Sequence, residues 1–311
     1  LGRIDFCTKE QYSQLLKLDP GIHKVIRVKN DISFRELKDL KQLIKISNYN
    51  LIIDAHNNLR SIYLRTFQNA KVLVYRKYSI RKFLLVKFKI NLMKNLPPIS
   101  ERYRRIITGI KGLEFNDKPE PVVYTSIESE TAVDNMIASL NLAVDTKMVC
   151  IAASSRHFTK TYPAEYYAEV INKFDKQKTA FFLTGIGKDS INIKKVKELT
   201  GSNVYDLCDN LETGDLAALM KRCSLLLSGD TGPMHIAEAL NIPIVMMAGS
   251  SVKEFGFYPQ NKGAVVIENN GLSCRPCSHI GRSSCPKVHF KCMLELTPEM
   301  VYNEAAAKLG L

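Results

Sequence analysis

The strongest constraint on the fold is a regular alternation of short apolar runs with segments of helical period along nearly the whole chain. Short runs rich in Ile, Leu and Val read as buried strands, and the stretches between them are long enough for helices. A strand that is followed by a helix and then another strand returns in parallel, so the pattern points to parallel α/β domains rather than a bundle or a sandwich. The second half shows it best. Strands over 148–153, 179–184, 204–206, 225–228 and 243–248 alternate with helices over 191–199, 213–221 and 233–240 and one begun at Pro163, a residue favoured at a helix start. This is a doubly wound series. In the first half, strands over 2–6, 24–28, 51–54 and 71–74 alternate with helices over 9–18, 33–43 and 59–67. A sheet that begins this abruptly is expected to lack its first strand.

At 311 residues the chain is long for one α/β domain and comfortable for two of about 150 residues each. A hydrophobic content of 45% with 24% charged residues allows two substantial cores. The expected linker region is 116–147, where Asn116-Asp117-Lys118-Pro119-Glu120-Pro121 breaks regular structure ahead of a helix near 131–140. The reading places one domain over 1–145 and a second over 146–311.

No apolar run approaches the roughly 18–20 residues that cross a bilayer. The opening residues, Leu1-Gly2-Arg3-Ile4-Asp5-Phe6, carry no apolar signal region, so a cytoplasmic location is the expectation. Cys7, Cys150, Cys208 and Cys223 are scattered, as small core residues are.

Charge separates the halves. Residues 1–125 hold 25 Lys+Arg against 11 Asp+Glu, a net of +14, whereas residues 126–311 hold 19 against 20, a net of −1. A polyanionic partner therefore belongs to the first half. Nucleic acid fits less well than an anionic lipid or phosphorylated glycolipid, because the basic residues are dispersed and no nucleic-acid-binding motif is recognisable. Residues 76–95 are basic and apolar together: Ile80, Phe83, Leu84, Phe88 and Leu92 recur at helical spacing among Arg81, Lys82, Lys87, Lys89 and Lys94. This segment reads either as an interfacial helix for an anionic membrane or as an ordinary amphipathic helix with a solvated basic face.

The densest chemical signal is Ser228-Gly229-Asp230-Thr231-Gly232-Pro233-Met234-His235, a strand end, a glycine turn and a helix start. Backbone N–H groups and the positive dipole end of such a helix suit a diphosphate, and glycines allow close approach of the backbone. Thr231 offers a hydroxyl, and His235 a donor or a charge in the first turn. Taken singly, Asp230 reads as a plain cap and His235 as a core histidine; together they converge on one loop. A second constellation, Cys274-x2-Cys277-x7-Cys285-x6-Cys292, has spacing that a structural zinc site could use, with disulfides or reduced thiols as alternatives.

At these residues the chain resembles glycosyltransferase family 9, the ADP-heptose:lipopolysaccharide heptosyltransferases and their relatives. The likeness runs in order through Leu51-Ile52-Ile53-Asp54-Ala55-His56-Asn57-Asn58-Leu59-Arg60-Ser61, Ala153-Ser154-Ser155 with Lys160-Thr161-Tyr162-Pro163, residues 216–224 with Gly229 to Ala237, and Gly256-Phe257-Tyr258-Pro259. The resemblance implies a GT-B architecture: two Rossmann-like domains face each other across a cleft, acceptor on the first and nucleotide sugar on the second. It also implies a C-terminal helix (298–308) returning toward the first domain. Carried over by position, Ser154 and Ser155 contact donor phosphates, Lys160 offsets the charge of the leaving diphosphate, and Asp230, Thr231, Gly232 and His235 cradle the nucleotide sugar. Asp54, Asn58 and Arg60 fall on the acceptor side. The family's Gly-Asp loop after its first strand, which supplies the expected base, has no counterpart here, so Asp54 becomes a candidate base, with an acceptor-orienting or structural role as the alternative. The loop Arg156-His157-Phe158-Thr159 is one residue longer than usual, which loosens the alignment of Lys160.

The implied activity is metal-independent, inverting transfer of a heptose from a nucleotide sugar, ADP-heptose first among them, to an inner-core lipopolysaccharide at the cytoplasmic face of the membrane. The competing reading is a nucleotide-sugar-binding homologue without turnover.

Overall fold

Capping chemistry sets the first helices. Ser33 accepts a hydrogen bond from the Glu36 amide at 3.2 Å, and Glu36 returns one from the Ser33 amide at 2.8 Å. This reciprocal box satisfies two donors that a helix start leaves orphaned. In the computed structural model, which describes residues 2–108, 110, 120–187 and 190–311, the first half runs β1 (Asp5–Lys9), α1 (Ser13–Lys17), β2 (Lys24–Val28), α2 (Phe34–Ile46), β3 (Leu51–Asp54), α3 (Leu59–Arg65), β4 (Lys71–Val74), α4 (Ser79–Phe88) and α5 (Ile99–Arg104). The second half continues with α6 (Ile127–Ser139), β5 (Lys147–Ala152), α7 (Ala164–Asn172), β6 (Thr179–Thr184), α8 (Ser190–Glu198), β7 (Val204–Asp206), α9 (Thr213–Arg222), β8 (Leu225–Ser228), α10 (Gly232–Ala239), β9 (Ile244–Ala248), β10 (Ala264–Glu268), α11 (Lys291–Leu294) and α12 (Pro298–Leu309). Most of the Asn116–Pro121 linker expectation lies outside the described residues.

The second sheet is entirely parallel, in the order β10-β9-β8-β5-β6-β7. Its central strands are buried on both faces: Phe181, Phe182, Leu225, Leu226 and Leu227 are all inaccessible to solvent, whereas the edge strands β7 and β10 are partly exposed. Continuous apolar runs are what a sheet covered by helices on both sides requires. α7 and α12 help close one face and α6, α9 and α10 the other. Two expectations change here. α6 falls before the boundary drawn at 145/146, yet it packs with the second half, because Val133 joins the core under α9 and Arg222 grips Asp134 at 2.8 Å. The C-terminal helix packs chiefly on its own sheet: Val301, Ala305 and Leu309 of α12 lie on the core beside α7, β8 and β9.

The first half is organised as two parallel pairs, β1 with β2 and β3 with β4. Among the described residues no strand pairs with the other edges of β1 and β3. Tyr49, just before β3, donates to Asp5 Oδ2 at the start of β1 at 2.5 Å. Ile4, Phe6 and Ile53 on or beside these strands stay substantially exposed.

α4 is shorter than the expected helical segment over 76–95. Lys89 turns into the left-handed region (φ 60°) and ends it, and its Nζ reaches the carbonyls of Cys274 and Pro276 in the second half at 3.0 and 2.8 Å. Leu85 and Met93 anchor this segment inward. Ile80, Phe83, Phe88 and Leu92 of the expected apolar stripe point to solvent.

Candidate functional site

In a doubly wound sheet, ligands bind beyond the carboxyl ends of the strands where the winding reverses. Here β5 and β8 lie side by side, with Ala152 opposite Ser228. From β5 the chain winds outward through β6 and β7, and from β8 through β9 and β10. The reversal lies between them. Ser154 and Ser155 follow the end of β5, and Gly229 to His235 follow the end of β8, so the sheet brings together two segments far apart in sequence.

Lys160 enters from a 3₁₀ turn over Phe158–Lys160. The turn is fixed from two sides: Ser250 N donates to Thr159 O at 3.1 Å and Arg282 N to Thr159 Oγ1 at 2.9 Å. A Cβ at position 229 would stand 2.4 Å from the Lys160 carbonyl oxygen, so glycine is required there by the seating of this turn. The Lys160 Nζ then meets Asp230 Oδ2 at 2.5 Å, with the two side chains only 13% and 9% exposed. Ser251 Oγ donates to the same oxygen at 2.5 Å. Asp230 is therefore not the helix cap that it resembles in isolation. Thr231 holds the N-cap position of α10 without a capping bond, and its Oγ1 lies 2.8 Å from Ser228 Oγ. Gly232 is exposed, and a Cβ there would meet nothing within 4 Å, which leaves the helix start open to an anion. One turn on, His235 is 40% exposed, with Nδ1 3.4 Å from Glu238 Oε2. It is not a core histidine.

The surrounding field is positive. The imidazole of His157 is held below its ordinary pKa by burial, then by the charges of Lys160 and Arg156. His279 is lowered by burial, then by Lys82 from the first half and by Lys160. Cations from both halves thus act on one region, which favours an anionic ligand. Beside His235 a cleft of about 170 Å³ is lined by Glu238, Tyr258 and Gln260 on one side and Ile99 and Tyr103 on the other.

On the first half, Asp54 Oδ1 accepts the amides of His56 and Asn57 at 3.0 and 2.6 Å. Its Oδ2 stands 3.0 Å from Arg65 Nε as an ion pair, although the N–H direction misses the oxygen, so neither atom gains an aligned hydrogen bond. Asn58 caps α3 through the Ser61 amide at 2.9 Å, and Arg60 donates to Asn30 O at 3.2 Å. Asp54 and Asn58 thus hold the loop between β3 and α3, whereas Arg60 ties α3 to the loop before α2.

Cys274, Cys277, Cys285 and Cys292 form no disulfide, and Cys274 Sγ lies 3.8 Å from His289 Nε2. Burial raises Cys277 and pushes Cys292 up to about 11, with the other cysteines of the group adding to the rise in each case, so the free thiols are neutral. Among the described residues no three His, Cys, Asp or Glu side chains converge to hold a metal.

The sequence reading missed Ser251, Glu238 and the buried Arg275. Ser251 carried one signal, its place just after an apolar strand; Arg275 carried none.

The family model described as Glycosyltransferase family 9 (heptosyltransferase) matches residues 37–288. Lipooligosaccharide heptosyltransferase 2 of Campylobacter jejuni subsp. jejuni serotype O:6 is 30% identical over 149 residues, 47% of this chain and 46% of the relative, so that match spans about half of the relative's length. Lipooligosaccharide heptosyltransferase 2 of Haemophilus influenzae is 22% identical over 323 residues, covering 98% of this chain and 91% of the relative. The solved structure of E. coli ADP-heptose lps heptosyltransferase II superimposes with a TM-score of 0.75 at 18% identity, over 99% of this chain and 89% of that one. The fold is accordingly the GT-B arrangement of those enzymes. The extent of the family match decides the matter: the chain belongs to glycosyltransferase family 9, the heptosyltransferases.

Proposed function

We propose that the chain transfers a heptose from ADP-heptose to an inner-core lipopolysaccharide acceptor, with inversion and without a metal. The observation that carries this reading is the Lys160–Asp230 pair beside the open start of α10, at the reversal point of the second sheet. In this reading the diphosphate sits at the start of α10, near Ser154, Ser155 and Thr231. Lys160, the helix dipole and His235 stabilise the charge that grows on the leaving ADP. Asp230 orients Lys160 and takes part in cradling the sugar nucleotide. Asp54, bound to Arg65 and its own loop, shapes the acceptor side and is not assigned the proton transfer. The acceptor is an anionic glycolipid, approached from the cytoplasmic face of the membrane by the basic first half.

The test is release of ADP from ADP-heptose in the presence of a heptose-free inner-core acceptor. Lys160→Ala should lower kcat on the order of 10²–10³-fold while donor affinity changes far less, since its charge matters most at the leaving group. Binding of ADP-heptose without ADP release would support a non-catalytic homologue instead. Equal turnover by wild type and both Lys160→Ala and Asp230→Ala would remove the site altogether.

A further inference from the structure

Asp230 does not hold Lys160 unaided. Both hydrogen bonds to its carboxylate fall on Oδ2, one from Lys160 Nζ and one from Ser251 Oγ, each at 2.5 Å. Ser251 is buried and lies just beyond β9, in a loop with no regular structure of its own. What fixes this loop is Arg275, whose side chain is only 5% exposed. Its Nε donates to Gly249 O at 2.7 Å, and its Nη2 faces Ala248 O at 3.1 Å and Ser251 O at 2.8 Å. Nη1 donates to Asn269 O, and Nη2 also lies 2.8 Å from Glu268 Oε2, its counter-charge. The Tyr258 hydroxyl closes the group, 2.7 Å from Glu268 Oε2 and 3.1 Å from Ser251 O. One buried guanidinium thus fastens the ends of β9 and β10 to each other. A planar five-donor fork suits this task and an ammonium does not.

We infer that Arg275 and Ser251 are positioning residues, which set the carboxylate of Asp230 and through it the ammonium of Lys160. Arg275 fixes the Ser251 backbone, the Ser251 hydroxyl occupies Asp230 Oδ2, and the shared oxygen then fixes Lys160. Nothing in this chain of contacts requires either residue to touch a ligand. The consequence for catalysis rests on the proposed role of Lys160; the geometric consequence does not.

Two measurements separate these. With ADP-heptose and acceptor, Ser251→Ala and Arg275→Lys should each lower kcat by about 10- to 100-fold, the scale of a misplacement near 1 Å. The donor KM and the Kd of ADP should move by less than about threefold, and Ser251→Thr, which keeps the hydroxyl, should recover most of the rate. In the absence of any donor, amine-selective acylation of Lys160, followed by mass spectrometry, should run several-fold faster in Ser251→Ala and Arg275→Lys than in wild type or Ser251→Thr, because a loosened pair exposes the ammonium. Unchanged acylation of Lys160 in both variants overturns the inference, as does a loss of rate that Ser251→Thr fails to recover. If wild type releases no ADP while acylation responds as expected, the positioning stands and the proposed transfer fails.

Discussion

His157 shows how one side chain records the charge of its surroundings. It begins the turn that presents Lys160, and the Gly281 backbone packs so closely on it that a Cβ there would come within 2.5 Å of its own Cβ. Burial, then Lys160, then Arg156 hold the imidazole below its ordinary 6.5. Such a histidine binds its proton more weakly folded than unfolded. Its contribution is therefore fully present above about 6.5 and is lost as pH falls from there through the folded value. The imidazole of His157, followed by NMR, should titrate below 6.5, and His157→Gln should flatten the fall in stability over that interval. A titration at or above 6.5 would contradict the positive field inferred around Lys160. At this scale the sequence was informative where polar residues cluster on one short loop, as Asp230, Thr231 and His235 do. It was silent on Arg275, because a buried arginine bonded to main-chain carbonyls leaves no pattern in neighbouring residues. It also could not show that Asp54 is already engaged, since Arg65 lies a helix away.

Elements meet between the halves at Gly256, where the physical demand is sharp. Its φ of +87° lies in the left-handed region, and a Cβ would fall 2.9 Å from Ile99 N and 3.0 Å from the Arg102 guanidinium. Ile99 N donates to Gly256 O at 2.8 Å, while the buried Arg102 reaches Phe255 O at 3.1 Å and Glu254 O at 2.9 Å. The start of α5 is thus clasped to the loop after β9. Gly256→Ala should destabilise the protein by roughly 1–3 kcal/mol, read as a lowered midpoint in urea. Gly232→Ala, the same chemical change in open space, should stay within about 0.5 kcal/mol. Equal losses in the two variants would show that the clasp is not what holds Gly256. Element identity was largely legible: β2, β3, β4, β6, β7 and β8 fall where apolar runs bounded by turns placed them. β10 was overlooked although Ala264 to Glu268 is a β-branched run between turn residues. The extent of α4 was misjudged because its stop is tertiary, a lysine drawn to carbonyls of the other half. Which core α6 joins is likewise decided by packing partners and not by local pattern, as Val133 beside α9 shows.

Across the whole molecule, the proposed contact of the basic first half (net +14 on residues 1–125) with an anionic membrane can be tested at α4. Ile80, Phe83 and Phe88 are 76%, 59% and 57% exposed, and Ile90 and Leu92 follow directly, also exposed. Phe83 and Phe88 stack edge to face at 5.9 Å on this outer surface, within a segment that also carries Arg76, Arg81, Lys87, Lys89 and Lys94. Scattered exposed apolar residues are ordinary; exposed aromatic and aliphatic residues close together in sequence among cations are what a proposed anionic lipid surface would cover. No helix among the described residues is long and apolar enough to cross a membrane, so contact through α4 would be peripheral. Lipid-facing lysines contribute about 1 kcal/mol each at low ionic strength, and the term falls off within a Debye length. Two components with different sensitivities follow. The protein should sediment with vesicles containing phosphatidylglycerol, weakly with phosphatidylcholine alone, and salt should weaken the anionic case. Phe83→Ser with Phe88→Ser should lower binding at every salt concentration, by more than tenfold if both rings insert, whereas Lys87→Glu with Lys94→Glu should chiefly remove the salt-sensitive part. Turnover of a soluble, delipidated acceptor should be unchanged in the aromatic pair, because neither ring lines the cleft beside His235. Binding that ignores both pairs of substitutions would leave the exposed face of α4 without a membrane role and would move the anionic contact elsewhere on the basic half.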